Sequence, residues 1–259
     1  MRIVVTGAAS GLGAALSTRF LSARHTVLGI DCAWPQDQHE ETNVPNAIMR
    51  YRADLADRTA IAGLVERICE AGAIDVVIHN AGINAAGPFE NLDQPAMHRI
   101  IAVNLRAPML MTAALLKQGL ISEGGSLVFV GSLSSYLSYP GAATYAASKD
   151  GLLAYAKSLT PALARRRIAC LSVLPGPLDT AHARIHAPPG ADERGRLDPA
   201  AAADEIYRAV QSKRESLVPG WRAKLYSGIG IASPRLAERM MRKIIFLPLR
   251  DAARAQPLS

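Results

Sequence analysis

Tyr145-Ala-Ala-Ser-Lys149 lies in a stretch of helical period, so a phenol and an ammonium stand one turn apart on the same face. A free tyrosine loses its proton near pH ~10, and a close ammonium favours the phenolate, which predicts a Tyr145 pKa brought down toward the working range. Such a phenol can take or return a proton as an acid-base. Ser132 stands thirteen residues earlier, at the end of the apolar run 127–131, where its hydroxyl can hydrogen-bond a substrate oxygen. A carbonyl held there would be polarised for hydride transfer. Taken alone, a Tyr-xxx-Lys pair reads first as an ordinary helix-surface contact, so its meaning depends on the elements that hold it.

Short β-branched runs alternate with longer helical segments, the pattern of βαβ units whose parallel sheet is buried on both faces. Strands are expected near 2–6, 26–31, 48–52, 74–79, 125–131, 168–174 and 215–219, and helices near 11–23, 57–71, 95–118, 144–165 and 199–213. They use nearly the whole chain, which reads as one domain over 1–259, a three-layer, Rossmann-like, doubly wound α/β fold with a parallel sheet of about seven strands. Right-handed crossovers place ligands at the carboxyl ends of the strands, the edge that Ser132 would share. Residues 179–198, rich in Pro, Gly, Ala, Arg and His, form a long connection after a strand and suggest a lid.

Residues 3–13, Ile-Val-Val-Thr-Gly-Ala-Ala-Ser-Gly-Leu-Gly, put Gly7, Gly11 and Gly13 on the turn from the first strand into the first helix. Missing side chains let the backbone approach a pyrophosphate, which helix N-terminal amides and the dipole then hold. The spacing differs from G-x-G-x-x-G, and a glycine turn by itself can also be a plain tight turn. The second strand adds weight, because it ends in Asp31, where a carboxylate can accept hydrogen bonds from the adenosine ribose. Asp31 would repel a 2′-phosphate, and neither Ser10 nor Cys32 is basic, so NAD is expected over NADP.

In order and spacing, Thr6-Gly7-Ala8-Ala9-Ser10-Gly11-Leu12-Gly13, Asp54-Leu55, Asn80-Ala81-Gly82, Asn104, Ser132, Tyr145 to Lys149 and Pro175-Gly176-Pro177-Leu178-Asp179-Thr180 resemble the short-chain dehydrogenase/reductase family over nearly the full chain. The resemblance implies that residues 6–13, with Gly7, Ser10, Gly11, Leu12 and Gly13, surround the pyrophosphate and that Asp54 and Leu55 flank adenine. It implies that Asn80, Ala81 and Gly82 line the cofactor and steady the sheet, while Pro175, Gly176, Leu178 and Thr180 anchor the nicotinamide. Lys149 would bind the nicotinamide ribose, and Asn104 would hold a water in a proton relay to Tyr145. The chemistry implied is interconversion of an alcohol and a carbonyl by hydride transfer, in a homodimer or homotetramer. Departures are His79 where a second Asn is frequent, Gly131 where a Ser is frequent, and no glycine pair closing the last strand.

With 259 residues, 49% of them apolar, the chain can bury a sizeable core. Met1-Arg2 leads straight into the first strand with no signal-peptide pattern, so a cytoplasmic location is expected. The uncharged residues 124–148 are broken by Gly125, Pro140 and Gly141, which argues against a membrane span there. Cys32, Cys69 and Cys170, odd in number and far apart, suggest reduced, mostly buried thiols. His182-Ala-Arg-Ile-His186 has a zinc-compatible spacing but lacks the Glu of the peptidase motif, so no metal is expected. His25, His39 and His98 show no recognisable partner, and Arg184, Arg194 and Arg196 of the lid suit either an acidic substrate or solvent.

Of the seven net positive charges, six lie in residues 221–259, where eight Lys/Arg face Glu238 and Asp251. Over 234–247, Leu236, Met240 and Ile244, with Ala237, Met241 and Ile245, recur at helical spacing, while Arg235, Arg239, Arg242 and Lys243 stay mostly off the stripe. This basic amphipathic helix packs on its own domain or a second subunit, or lies on an anionic membrane surface. Nucleic acid is disfavoured, because aromatic and basic residues do not interleave. Trp221, Tyr226 and Met240 point to a bulky apolar substrate of steroid, lipid or aromatic type. The alternatives to an enzyme are a catalytically silent dinucleotide-binding regulator and a membrane-surface adaptor acting through the tail. Retention of Ser132, Tyr145 and Lys149 together favours the enzyme.

Overall fold

Alternate side chains of the central strands enter two separate apolar cores, because a parallel sheet with helices on both faces has no solvent side. In β1 (Arg2–Thr6) Val4 faces one core and Ile3 and Val5 the other. In β4 (Ile74–His79) and β5 (Ile121–Val130), Val77, Leu127 and Phe129 join the first core and Val76, Ile78, Val128 and Val130 the second. The computed structural model describes residues 1–35, 48–87, 91–185 and 195–255. There β1, β4 and β5 join β2 (Thr26–Asp31), β3 (Ile48–Arg52), β6 (Ala169–Val173) and β7 (Ser216–Leu217) in one sheet of order β3-β2-β1-β4-β5-β6-β7. Every neighbouring pair is parallel.

Helices α1 (Gly11–Ser22) and α8 (Pro199–Gln211) cover one face through Leu16, Phe20, Ile206 and Val210. The other carries α2 (Arg58–Glu70), α4 (Ala107–Lys117) and α6 (Ala143–Arg165), through Leu64, Ile68, Met111, Leu115, Leu152 and Leu163. The result is the expected doubly wound three-layer architecture. From β1 the chain runs outward to β3 and then returns to start β4 on the other side of β1, opening a crevice at the carboxyl ends of β1 and β4.

β1 to β4 and the crossover helices fall within a residue or two of their expected bounds. β5 begins earlier than expected, at Ile121, because a register shift opposite Ile74 and Val76 accommodates the irregular Ser122-Glu123-Gly124-Gly125 stretch. β7 is only two residues, since Pro219 has no N–H to continue the ladder. Residues 124–148 form most of β5, the short α5 (Ser134–Leu137) and the start of α6 rather than one helix. Among the described residues, the one helix long and apolar enough to cross a membrane is Gln94–Lys117. It comprises α3 (Gln94–Ile101), a π-helical turn at Ala102–Arg106 and α4, and it buries Ile100, Ala107, Met111 and Leu115 in the protein core.

Three expectations need correction. Cys32 is exposed, because it directly follows the last residue of β2, while Cys69 and Cys170 are half-buried and buried. His25 has partners that the sequence does not show, with its ring 6.2 Å from that of Tyr207 and Nδ1 3.4 Å from the Met1 amino group. The helix expected over 234–247 forms and runs on to 255, as α10 (Pro234–Met241), a π-helical turn at Arg242–Phe246 and α11 (Leu247–Ala255), after a separate α9 (Trp221–Ala232), but only part of its apolar stripe turns inward. Of the expected stripe, Ala237 and Ile245 are buried, whereas Leu236 and Ile244 face solvent. Small Ala237 lets α10 lie against α5, and the larger neighbours are left outside. His39, His186 and Arg194 lie outside the described residues, as do residues 186–194 of the suspected lid.

Candidate active site

The turn after β1 is held from three sides before any ligand is considered. Gly7, at φ +69°, donates its N–H to Ile30 O at 2.8 Å and so ties the turn to β2. Thr6 Oγ1 accepts from the backbone N–H groups of Asn80 and Ala81, both at 3.0 Å, and Asn80 Nδ2 donates to Thr6 O at 2.9 Å. Gly13 closes the packing, because a Cβ there would overlap Gly7 O and stand 2.7 Å from Asn80 Nδ2. Ser10 caps α1 with extended backbone, and its exposed side chain makes no capping hydrogen bond. Leu12 turns its side chain into the core, leaving only its backbone for a ligand. Thr180 lies against Gly11, across this helix N-terminus. A bare turn, free N-terminal amides and an unengaged serine fit a dinucleotide pyrophosphate.

At the adenosine end, Asp31 accepts from Ala9 N at 3.0 Å and from Ala33 N at 2.9 Å, which fixes the carboxylate beside the turn with lone pairs to spare. Two cations that the sequence reading missed stand nearby. Arg52 is the register partner of Asp31 on β3 and donates from Nε to Cys32 O at 3.4 Å. Arg99 pairs with Asp54 at 3.0 Å, so the carboxylate expected beside adenine already has a partner. Neither signal is visible in the chain order, since β3 meets Asp31 through strand pairing and α3 meets Asp54 only in the folded chain. Leu55 is buried beneath Asp54 in the core.

The structure brings Ser132, Tyr145, Lys149 and Asn104 together at the carboxyl end of β5. Lys149 is 3% exposed and donates from Nζ to Val130 O at 2.9 Å, with Nζ 6.0 Å from the Tyr145 ring centroid. Gly82 makes room for it, because a Cβ there would come within 2.9 Å of Nζ. Asn104, in the π-helical turn, pairs with Ile83 like a strand neighbour, accepting from its N–H at 2.8 Å and donating to its carbonyl at 2.9 Å. It also donates to Ser148 Oγ at 3.0 Å, and Ser148 in turn donates to Tyr145 O at 2.7 Å. Ser148 is a further site residue inside the Tyr-xxx-Lys motif, recognisable in retrospect from its i+3 position.

The expected fall in the Tyr145 pKa is not what the fold produces. Burial pushes the phenol up to about 12, and the nearby Ser132 hydroxyl only partly opposes this. The same burial brings Lys149 down to about 8. Desolvation outweighs the pairing inferred from sequence because the ammonium is aimed at Val130 O rather than at the phenol oxygen.

Gly131 leaves space that the Leu153 side chain fills, since a Cβ would lie 2.8 Å from Leu153 Cδ2 and a serine there would require Leu153 to shift. His79 fills an apolar site, with Nε2 2.8 Å from Thr112 Oγ1 and its ring stacked 5.2 Å from Phe129, and burial lowers its pKa to about 3. Opposite, Pro175 O accepts from Leu133 N at 2.9 Å, and Gly176 lies against Ala223 of α9. Leu178 bridges to Leu197, and Thr180 Oγ1 accepts from Ala183 N at 3.1 Å at the start of α7 (Ala181–Ile185). Arg184 pairs with Asp179 at 2.8 Å, whereas burial pushes the Tyr139 phenol up and the nearby Arg196 guanidinium only partly opposes this. Tyr139 meets Tyr145 edge-on, with centroids 6.2 Å apart. Leu249 of α11 packs on Gly141, so the tail borders the same rim.

The family model for short chain dehydrogenase matches residues 1–188. The chain belongs to this family. Within it, the chain is 34% identical over 190 residues to 2-(R)-hydroxypropyl-CoM dehydrogenase of Xanthobacter autotrophicus, covering 68% of this chain and 74% of that one. Among solved structures it resembles a short-chain dehydrogenase from Sphingobium yanoikuyae in complex with NADPH (TM-score 0.72, 23% identity, 91% and 94% of the two chains). It also resembles a 4-hydroxyisoleucine dehydrogenase mutant complexed with NADH and succinate (TM-score 0.73, 23% identity, 86% and 99%). The family match and the 34% identical relative support general alcohol–carbonyl oxidoreduction, and the two solved structures show the Rossmann-type fold.

Proposed function

We propose that this short-chain dehydrogenase interconverts an alcohol and a ketone or aldehyde with Tyr145 as acid-base, and that it prefers NAD. The observation that carries the reading is Tyr145 beside Ser132 with Lys149 buried one turn on, at the strand edge that faces the glycine turn. A bound nicotinamide dinucleotide supplies the hydride donor or acceptor. Gly7, Ser10, Gly11, Leu12 and Gly13 would hold its pyrophosphate, Asp31 its adenosine ribose, Asp54 and Leu55 its adenine, and Asn80 to Gly82 its middle. Pro175, Gly176, Leu178 and Thr180 would hold the nicotinamide, and Lys149 the ribose next to it.

In reduction, Ser132 and Tyr145 hold the carbonyl oxygen and Tyr145 gives up its proton as charge develops there. The Lys149 ammonium stabilises the phenolate left behind, and Asn104 positions a water through which the proton is replaced. Oxidation reverses these steps. The raised phenol keeps its proton through neutral pH, while Lys149 loses its charge near its lowered pKa of about 8. Carbonyl reduction should therefore hold level below about pH 8 and fall above it, by up to tenfold per pH unit. A kcat/KM profile that instead rises through this window would remove Lys149 from the mechanism.

NAD preference rests on the Asp31 carboxylate, fixed by Ala9 and Ala33, although Arg52 provides some compensating positive charge for a 2′-phosphate. Asp31→Asn should weaken NAD relative to NADP by roughly 10–100-fold, the worth of one or two hydrogen bonds to a charged group. Titration of both variants with both dinucleotides measures it, and an unchanged ratio would clear Asp31 of this role. For the substrate, a bulky apolar alcohol or ketone is favoured by α9, whose Ala223 backs Gly176 and whose Tyr226 is exposed. Partly exposed Ile101 and Met109 on α3 and α4 support a homodimer or homotetramer. A screen of steroid, long-chain and aromatic alcohols and ketones, read by nicotinamide absorbance, tests the substrate class.

A further inference from the structure

Helix α9 is amphipathic in the inverted sense. Its inward face is made of small residues, Ala223, Ser227 and Gly230, at i, i+4 and i+7. Its outward face carries Trp221, Leu225, Gly228 and Ala232, at i, i+4, i+7 and i+11. Trp221 is 70% exposed, Leu225 56% and, beside them, Ile231 65%. On the helices that follow, Leu236 and Ile244 also face solvent, 47% and 53% exposed. Large apolar side chains gathered on the outside of consecutive, mutually packed helices mark a surface built to meet something. Basic residues are interspersed with them, and Arg235, Arg239 and Arg242 line a shallow cleft with Glu238.

We propose that helices α9 and α10 and the turn after them dock this protein on the surface of an anionic lipid bilayer. Charge selects this occupant. Six of the chain's seven net positive charges lie in residues 221–259, so a two-fold contact with a second copy would bring two such excesses together. A nucleic acid satisfies the charge but offers no apolar phase to Trp221, Leu225, Ile231 and Ile244. A bilayer interface takes both, with lipid phosphates at Arg235, Arg239 and Arg242 and acyl chains beneath the apolar side chains. The docking is independent of hydride transfer.

The test uses the full chain with phosphatidylcholine vesicles, with and without phosphatidylglycerol, read by co-sedimentation and tryptophan emission. Retention is expected only with phosphatidylglycerol and should weaken with salt. Arg239→Gln with Lys243→Gln should lower partition by roughly 25-fold, about fivefold for each basic side chain near an anionic surface. Trp221→Ala with Leu225→Ala should lower it by roughly tenfold or more. The wild-type emission should shift to the blue on the vesicles, and Trp221→Phe should abolish the shift, a readout independent of any change in folding. Equal retention on both vesicle types, or a Trp221 emission unmoved by lipid, overturns the proposal. So does a change in the free protein's mass on Trp221→Ala with Leu225→Ala, which would assign the face to a second copy, or retention by DNA alone.

Discussion

Tyr145→Phe is expected to lower turnover in both directions by roughly 10²–10⁴-fold, the usual contribution of a positioned acid-base. Dinucleotide affinity should stay within about twofold, a change under ~0.5 kcal/mol. The substitution removes one oxygen and keeps the ring, so the edge-on contact with Tyr139 and the packing at the rim persist. Ser132 keeps its hydrogen bond from Ser134 N at 3.1 Å and remains where it is. Single-turnover kinetics alongside dinucleotide titration separates the two effects. A variant that retains a large share of wild-type turnover would place the proton transfer elsewhere. Alkaline stability gives an independent check. A phenol raised to about 12 keeps its proton while the unfolded chain's ionises, so stability falls as pH rises from about 10 toward 12. The phenylalanine variant should lose that part of the slope.

Gly13→Ala should disable the cofactor site by a different route. Its Cβ would overlap Gly7 O and crowd Asn80 Nδ2. Gly7 cannot easily retreat, since its N–H is bonded to Ile30 O, and Asn80 is bonded to Thr6 O. The turn must therefore open, at a cost of about 3 kcal/mol, the upper part of the range for overpacking a well-filled site. For a chain of this size that corresponds to a Tm lower by roughly 6–12 °C. Displaced amides should weaken dinucleotide binding by roughly 10²–10⁴-fold, the loss of two hydrogen bonds to a charged group. Gly63→Ala in α2 is the control. A Cβ there meets nothing within 4 Å, so that variant should gain about 0.5–1 kcal/mol from helix propensity. Calorimetry with and without dinucleotide measures both, and a Gly13→Ala protein as stable as the wild type would show that the turn is looser than its contacts indicate.

The parts of the fold that were legible in the sequence are those fixed by local pattern. Short β-branched runs such as 26–31 and 74–79 read as buried strands, and the β1 turn announces itself through glycine. The Tyr145–Lys149 spacing likewise follows from helix geometry alone. The tail's inner face is only partly legible, because on α9 and α10 it is built from small residues, with Ala223, Gly230 and Ala237 inside and Trp221, Leu225 and Leu236 outside. A hydrophobic stripe is a reliable guide only where apolar means buried.

By itself the sequence determined the alternation of strands and helices, the glycine turn, the end of β2 at Asp31 and the one-turn spacing of phenol and ammonium. Each of these rests on residues a few positions apart. Tertiary structure alone decided that Arg99 pairs with Asp54, that Arg52 lies beside Asp31, that Gly82 makes way for Lys149, and that Tyr145 is pushed up rather than down. All four depend on groups brought close from distant segments and on how much water burial removes, and electrostatic strength follows those two quantities rather than spacing along the chain.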